Sequence, residues 1–325
     1  MKRKVMKIGP ASLVMSLPSG WAKRYSIQKG DEIEVEERGR NLQITTKKEI
    51  LTKDKAEINI SKFCPMIMRA LGILYKVGYK KININYSKEN SECRKMFSGQ
   101  GLKEIDLIKR AADSYTGMDI EKFNQKLNEV TLIERANVLY EEFDNTLNHA
   151  FLHLTQISEQ VKEALFQSDK TLEKEIDLTD NLINQTTNFC QKILNKQGYQ
   201  EFNKTHFVYH IVTGIEDLGD RYHMLYEDYS KKKTKKLTSE IILILKNLDI
   251  MLNEFYAIFR KFDVKKLTEL AYTYHEILFD IEKASKKISR DEILMLSCLV
   301  DIANRIYDLL EPLMALNNEK MLDLK

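Results

Sequence analysis

The chain of 325 residues is 43% hydrophobic and 30% charged, and its formal net charge is only +3. This length suffices for two or three domains, and the composition is ordinary for a water-soluble protein. No apolar run reaches the ~18 residues of a membrane span, and four separated cysteines without a CxxC pair favour a reducing, cytoplasmic location over a thiolate metal site.

The amino-terminal end is strongly basic. The first 29 residues hold seven Lys or Arg side chains and no acidic one. Within residues 1–50, "KVMKIG" and "SLVMSLP" alternate like short strands, Pro18 begins a short helix, and "QKGDEIEVEERGRNLQITT" has the pattern of a hairpin. So few core positions predict that this module needs a partner chain to fold.

Residues 51–130 have the pattern of a small α/β connector. A helix is expected over "SKFCPMIMRALGILYKVGY", with Pro65 in its first turn, and a strand over "KKININY". A second helix over "GLKEIDLIKRAADSY" and a strand pair over "MDIEKFN" and "NEVTLIERA" follow. No catalytic motif occurs in this region.

Residues 131–325 have the 3.6-residue apolar period of helices almost throughout. Short connections predict antiparallel neighbours, so six helices in two sets of three suggest a duplicated three-helix bundle. A shift of 88 residues aligns the third predicted helix with the sixth and places Asp220 over Asp308. The predicted helices span roughly 132–167, 170–197, 203–232, 237–261, 263–287 and 290–317.

The amino-terminal module contains Lys7, Gly9 and Ser12, the segment "VMSLP", a Trp-Ala helix start, and "KGDEIEV". In these features it resembles the AbrB/SpoVT (MazE-type) DNA-binding domain. The resemblance implies a homodimer that interleaves its strands into one swapped-hairpin β-barrel and binds double-stranded DNA. Lys and Arg contacts to phosphates give a salt-dependent affinity, whereas a merely solvated basic face is the alternative. The candidate DNA-binding residues are Lys2, Arg3, Lys4, Lys7, Lys23 and Arg24.

In the helical region, "IEDLGDR" supplies Glu216 and Asp220, and the i, i+4 spacing places both carboxylates on one helix face. With this pattern the region resembles the PhoU-type regulators of phosphate uptake, which carry an acidic E/D-x-x-x-D motif. Asp217 lies beside Glu216 and Asp220, while the second copy keeps Asp308 but has Asn304 in the Glu position. The resemblance implies a site for a divalent or trivalent metal, Mg, Mn, Fe or Zn. An exposed acidic helix face is the other interpretation.

Together these features predict a cytoplasmic, homodimeric transcriptional regulator of phosphate uptake. Its PhoU-like domain would sense phosphate or energy status through a metal, a phosphate transporter or a signalling protein. The alternative is a regulator that binds other proteins, like an antitoxin hub, and uses its first module only to dimerise.

An enzyme is not expected, because no phosphate loop, nucleophile elbow or acid–base pair is recognisable. Two histidine pairs, His149/His153 and His206/His210, and the segment "KKKTKK" have more ordinary surface or packing roles.

Overall fold

A computed structural model of the chain divides into two compact units, residues 1–53 and residues 54–325. The connector and the helical region predicted from the sequence both belong to the second unit. The prediction that most of the chain is helical, with a small sheet part near the amino terminus, is confirmed. The structure describes residues 2–38, 41–46, 55–87, 92–94, 101–135, 142–167, 171–230, 237–287 and 292–322.

The first unit begins with a short hairpin and a one-and-a-half-turn helix. Strands β1 (Met6–Ile8) and β2 (Ser12–Val14) pair antiparallel. Gly9 opens their turn with a φ of 72°, a conformation that glycine adopts without a steric penalty. Helix α1 (Ser19–Arg24) starts directly after Pro18, whose restricted φ suits a helix start.

A second hairpin completes the first unit. Strands β3 (Ile33–Arg38) and β4 (Asn41–Thr46) pair antiparallel and form a sheet separate from β1 and β2. The described part of one chain therefore contains no closed barrel, and the barrel expected from the sequence requires a second copy. None of the side chains described between residues 2 and 35 is buried.

The second unit begins with a mixed sheet of four strands flanked by two helices. Its elements are β5 (Lys55–Asn59), a 3-10 turn (Ile60–Phe63), α2 (Ile67–Val77), β6 (Lys81–Asn85), β7 (Glu92–Arg94), β8 (Gly101–Lys103), α3 (Glu104–Asp113), β9 (Met118–Asn124) and β10 (Glu129–Glu134). The sheet has the order β5-β6-β10-β9, in which β5 and β6 are parallel and the other pairs antiparallel. Strands β7 and β8 form a separate pair.

The helix expected near Pro65 begins later than the sequence indicated. The chain first makes a 3-10 turn, and α2 starts only at Ile67, because proline lacks an N–H and disfavours helical backbone at the residue before it. The preceding Cys64 is disulfide-bonded, which the expectation of a reducing location did not anticipate. Cys190 and Cys298 are free and buried.

The rest of the second unit is helical. Its helices are α4 (Phe143–Gln167), α5 (Glu173–Gln197), α6 (Thr205–Ser230), α7 (Ser239–Arg260), α8 (Val264–Ser285), α9 (Ile293–Asp308), α10 (Leu310–Leu316) and α11 (Asn318–Leu322). Helices α4, α5 and α6 pack on one another, as do α7, α8 and α9. The two sets meet through α4 with α7 and α6 with α9, and they share one apolar core.

Two helix predictions are wrong at their ends. The first helix was expected from residue 132, but residues up to Glu134 belong to β10, and α4 begins at Phe143. The strand predicted over "NEVTLIERA" is the element observed there, paired with β6 and β9 on its two sides, so only the overlapping helix limit was wrong. The sixth helix is interrupted at Leu309 and continues as α10. None of the described helices combines the length and apolar character needed to cross a bilayer.

Candidate cation site and nucleic-acid surface

The six candidate DNA-binding residues are all exposed in the first unit. Lys2, Arg3 and Lys4 precede β1, Lys7 lies on it, and Lys23 and Arg24 form the last turn of α1. None of these six side chains makes an ion pair within the part of the chain that the structure describes. Their charges therefore remain available to an anionic partner.

Glu216, the first acidic motif residue, lies where the helical bundle meets the connector. Its Oε2 atom is 3.4 Å from the Nζ atom of Lys76, which is in the last turn of α2. The Nε2 atom of Gln191 on α5 donates to the same oxygen at 3.4 Å and also approaches the Thr213 hydroxyl. A carboxylate of the bundle is thus paired with a cation of the connector.

Asp220, one helical turn further along α6, is exposed but crowded by other carboxylates. Its pKa is raised from 3.8 to about 6, first by partial loss of hydration between the helices and then by repulsion from Asp180, Glu216 and Asp217. His223 opposes this rise in the pKa of Asp220. Negative charge is therefore in excess on this part of α6.

Helix α5 adds two carboxylates that the sequence interpretation did not include. Burial raises the pKa of Asp180, and Asp177 and Glu216 raise it further. The Oδ1 atom of Asp180 is buried without a hydrogen-bond partner, while Oδ2 accepts from Asn184 at 3.3 Å. Asp177 lies 2.8 Å from the Nε2 atom of His223. We call Asp177, Asp180, Glu216, Asp220 and His223 the acidic cluster.

Asp217 is engaged elsewhere. Its Oδ2 atom lies 2.8 Å from Nη1 of Arg305 on α9. The Nε atom of Arg305 is 3.3 Å from Asp301, which also accepts from Arg221 at 2.8 Å. Asp217 therefore belongs to a chain of ion pairs that joins α6 to α9, and a cation ligand role for it would require breaking the Arg305 pair.

The second copy of the motif is arranged differently from the first. Asn304 accepts a hydrogen bond of 2.9 Å from the Tyr274 hydroxyl, and the Tyr274 ring stacks on Tyr307 at 4.1 Å. Asp308 is exposed and lines a surface pocket of about 310 Å³. The copy has one carboxylate and an aromatic environment, so it does not repeat the chemistry around Glu216.

The acidic cluster has the right atoms for a hard cation but does not form a closed shell. Among the described residues, no three His, Cys, Asp or Glu side chains converge on one ion position. Two buried oxygens nevertheless lack a donor, Oδ1 of Asp180 and Oε1 of Gln191, and Gln191 is only 2% exposed. Carboxylate and amide oxygens are the ligands that Mg²⁺ and similar ions prefer. In the arrangement observed, the cation beside Glu216 is the ammonium of Lys76.

Neither histidine pair belongs to a group of three potential metal ligands among the described residues. The rings of His149 and His153 lie 6.4 Å apart, and burial and the charge of His149 lower the pKa of His153. The segment at residues 231–236 lies outside the described residues.

Comparison of the chain with known proteins identified no relative. Neither protein-family models, curated proteins nor solved structures matched the chain. Sequence reasoning found Glu216 and Asp220 from their spacing but missed Lys76, Asp180 and Gln191. Asp177 and Asp180 carried a usable signal, because they are spaced i, i+3 on the predicted helix that precedes α6.

Proposed function

We propose that the protein is a homodimeric, double-stranded DNA-binding transcriptional regulator. The observation that carries this proposal is the set of six exposed basic side chains without intramolecular ion pairs, on a segment that has no acidic residue before Asp31. Two copies would double this charge on one surface. Phosphate contacts by such side chains release counterions and provide affinity that depends on salt.

The lack of buried side chains among those described in the first unit supports the dimer. A hairpin pair and one short helix with no buried side chain among those described between residues 2 and 35 cannot fold stably alone. Apolar side chains that a second copy would cover are exposed on all four strands or beside them. They are Val5, Met6, Ile8, Leu13, Met15, Val35 and Leu42.

We propose that the second unit is a PhoU-like sensor that links DNA binding to phosphate uptake. The resemblance of the helical region to that family and the acidic cluster support this role. A divalent metal such as Mg, Mn, Fe or Zn would be held by Glu216, Asp220 and Asp180, and by the amide oxygen of Gln191. A phosphate transporter or a signalling protein is the corresponding partner. Asp217 and Asp308 would contribute less, because Arg305 holds the first and the motif position four residues before the second is Asn304 instead of Glu.

DNA binding is tested by titrating a labelled duplex with the full chain at several salt concentrations. Lys7→Ala and Arg24→Ala should each weaken binding to all sequences and lower the salt slope by about one per lost phosphate contact. Lys126→Ala, an exposed lysine in a turn of the second unit, is the matched control and should bind like the wild type.

Two results would change this account. If Arg24→Ala lost roughly 1–3 kcal/mol at one base position only, Arg24 would read a base edge instead of a phosphate. Negligible affinity of the wild type for any duplex at low salt would refute DNA binding and leave the protein-interaction regulator, in which the first unit serves only to dimerise.

A further inference from the structure

A surface pocket lies where α9 is interrupted before α10. It has a volume of about 310 Å³, at the lower end of the range for small-molecule sites. The beginning of α8, the end of α9 and α10 supply its walls. Most of the lining side chains are apolar or aromatic, and they are Leu267, Ala271, Tyr307, Leu310 and Met314. A short aliphatic chain would therefore leave water on entering the pocket.

Pro312 explains why α9 is interrupted at this point. A proline has no N–H for the carbonyl four residues earlier, and its ring crowds that carbonyl, so Pro312 disfavours a continuous helix beyond Asp308. Leu309, at the interruption, packs against Gly214 of α6, where any added Cβ atom would collide with the leucine side chain. The interruption is therefore fixed by packing, and it leaves the Asp308 carbonyl without the donor of a regular helix.

The charged groups of the pocket are all negative. Asp308 precedes the interruption and Glu311 follows it, and both side chains are exposed. Neither forms an ion pair or a side-chain hydrogen bond within the part of the chain that the structure describes. No lysine, arginine or histidine is among the described residues that line the pocket. The pocket thus combines two carboxylates with an apolar wall.

The aromatic part of this wall is held in place by other residues. The Tyr307 ring stacks on Tyr274 of α8 with the ring centres 4.1 Å apart, and the Tyr274 hydroxyl donates to Asn304 at 2.9 Å. Leu267 and Leu310 are buried and belong to the core of the bundle. A ligand would meet a wall that is already formed, which lowers the entropic cost of binding.

We propose that this pocket binds an aliphatic diamine, whose methylene chain lies on the apolar wall while its ammonium groups pair with Asp308 and Glu311. Each ammonium has three donors, and the Asp308 carbonyl is a further acceptor. Hydrated Mg²⁺ fits less well, because it gives up its water reluctantly and gains nothing from leucine and methionine side chains. A neutral apolar molecule would leave both carboxylates without a counter-charge. This inference is independent of the DNA binding and of the cation site proposed around Glu216.

Calorimetry with putrescine, a short aliphatic diamine, tests the charge and the apolar body of the ligand separately. Putrescine is titrated into the full chain at low salt and should bind saturably. n-Butanol has the apolar body without the charges and should not bind. The putrescine titration is then repeated in magnesium chloride and in potassium chloride of equal ionic strength. The two should agree, because Mg²⁺ would only screen the carboxylates.

Three variants locate the binding site. Asp308→Asn combined with Glu311→Gln removes both charges at nearly constant shape and should weaken putrescine binding about tenfold. Ala271→Leu keeps both carboxylates but fills the pocket, and it should also weaken binding. Glu276→Gln is the matched control, because Glu276 is exposed on α8 and does not line the pocket, and it should bind like the wild type. Circular dichroism checks the helical fold of each variant.

Weakened binding by both pocket variants, with the control unchanged, supports the proposal. If the double variant or a folded Ala271→Leu binds putrescine as tightly as the wild type, the diamine is bound elsewhere and the proposal is refuted. If Ala271→Leu does not fold, the double variant decides alone, since it changes only exposed side chains. A wild type without saturable binding at low salt refutes the proposal. It is also refuted if magnesium chloride abolishes binding that potassium chloride leaves intact, because the site would then select charge alone.

Discussion

At the scale of single residues, the second unit concentrates unbalanced charge in one place. Asp220 shares a helix face with Glu216 and faces Asp180 across α5 and α6. Lys76 compensates Glu216, and His223 compensates Asp177, but no ion pair is made by Asp220 among the described residues. A carboxylate left in this position makes the folded state less stable when it is ionised.

The pH dependence of stability should reveal Asp220. Its pKa of about 6 in the folded protein exceeds the 3.8 of the free side chain, so between these values the folded state binds more protons than the unfolded state. Wild-type stability should therefore fall as pH rises through this window. Asp220→Asn removes that loss, and its Tm relative to the wild type should rise between pH 4 and pH 7 in buffer with a chelator.

The control for this measurement is Glu276→Gln, an exposed carboxylate on α8 away from the cluster. Its Tm relative to the wild type should not rise over the same pH range. If the Tm difference between Asp220→Asn and the wild type does not change with pH, the folded structure does not raise the pKa of Asp220.

At the scale of elements, one buried ion pair connects the connector sheet to the bundle. The Lys192 side chain on α5 is 0% exposed, and its Nζ atom lies 2.7 Å from Oε1 of Glu134 on β10. The same ammonium lies 4.3 Å above the centre of the Tyr75 ring on α2. The contact between Lys192 and Glu134 is an ion pair without a hydrogen bond of good geometry at either atom. Burial lowers the pKa of Lys192, and Glu134 opposes that shift.

Removing one partner of this pair should destabilise the second unit strongly. Lys192→Met leaves buried Glu134 with only the more distant Lys196, and Glu134→Gln leaves buried Lys192 without its counter-charge. Each should reduce the free energy of unfolding by about 3–5 kcal/mol. Lys196→Met is the matched control, since Lys196 is 3.7 Å from Glu134 and 30% exposed, and it should cost under ~1 kcal/mol. Urea denaturation monitored by circular dichroism measures all three. Equal losses for Lys192→Met and Lys196→Met would contradict a special role for the buried pair.

The elements differ in how far the sequence reveals them. Helices α5 to α8 follow from an apolar period that their own core confirms. Strand β10 was predicted over "NEVTLIERA", but the helix expected from residue 132 overlapped its second half, because local periodicity does not show how far pairing with β6 and β9 extends. Glu216 and Asp220 are visible from their spacing, whereas Lys76 lies 140 positions from Glu216 and no local pattern joins them. Contacts between distant elements are set by tertiary packing, which a periodicity does not encode.

At the scale of the whole molecule, the two units differ in burial. None of the side chains described in the first unit is buried, whereas the second unit has two apolar cores. The connector and the bundle each bury an apolar cluster of their own. The first unit exposes apolar strand residues and basic side chains together, as expected of a module completed by a second copy and by an anionic partner. We therefore expect the first unit both to dimerise through its apolar side chains and to bind DNA through its basic ones.

Sedimentation velocity of the full chain, alone and with a fluorescent duplex, tests that claim most directly. We predict that the free protein sediments as a dimer and that two chains bind each duplex at low salt, with affinity falling linearly on a log–log plot as salt rises. A monomer that remains monomeric at all concentrations, or a duplex that sediments unchanged with excess protein at low salt, would contradict the account.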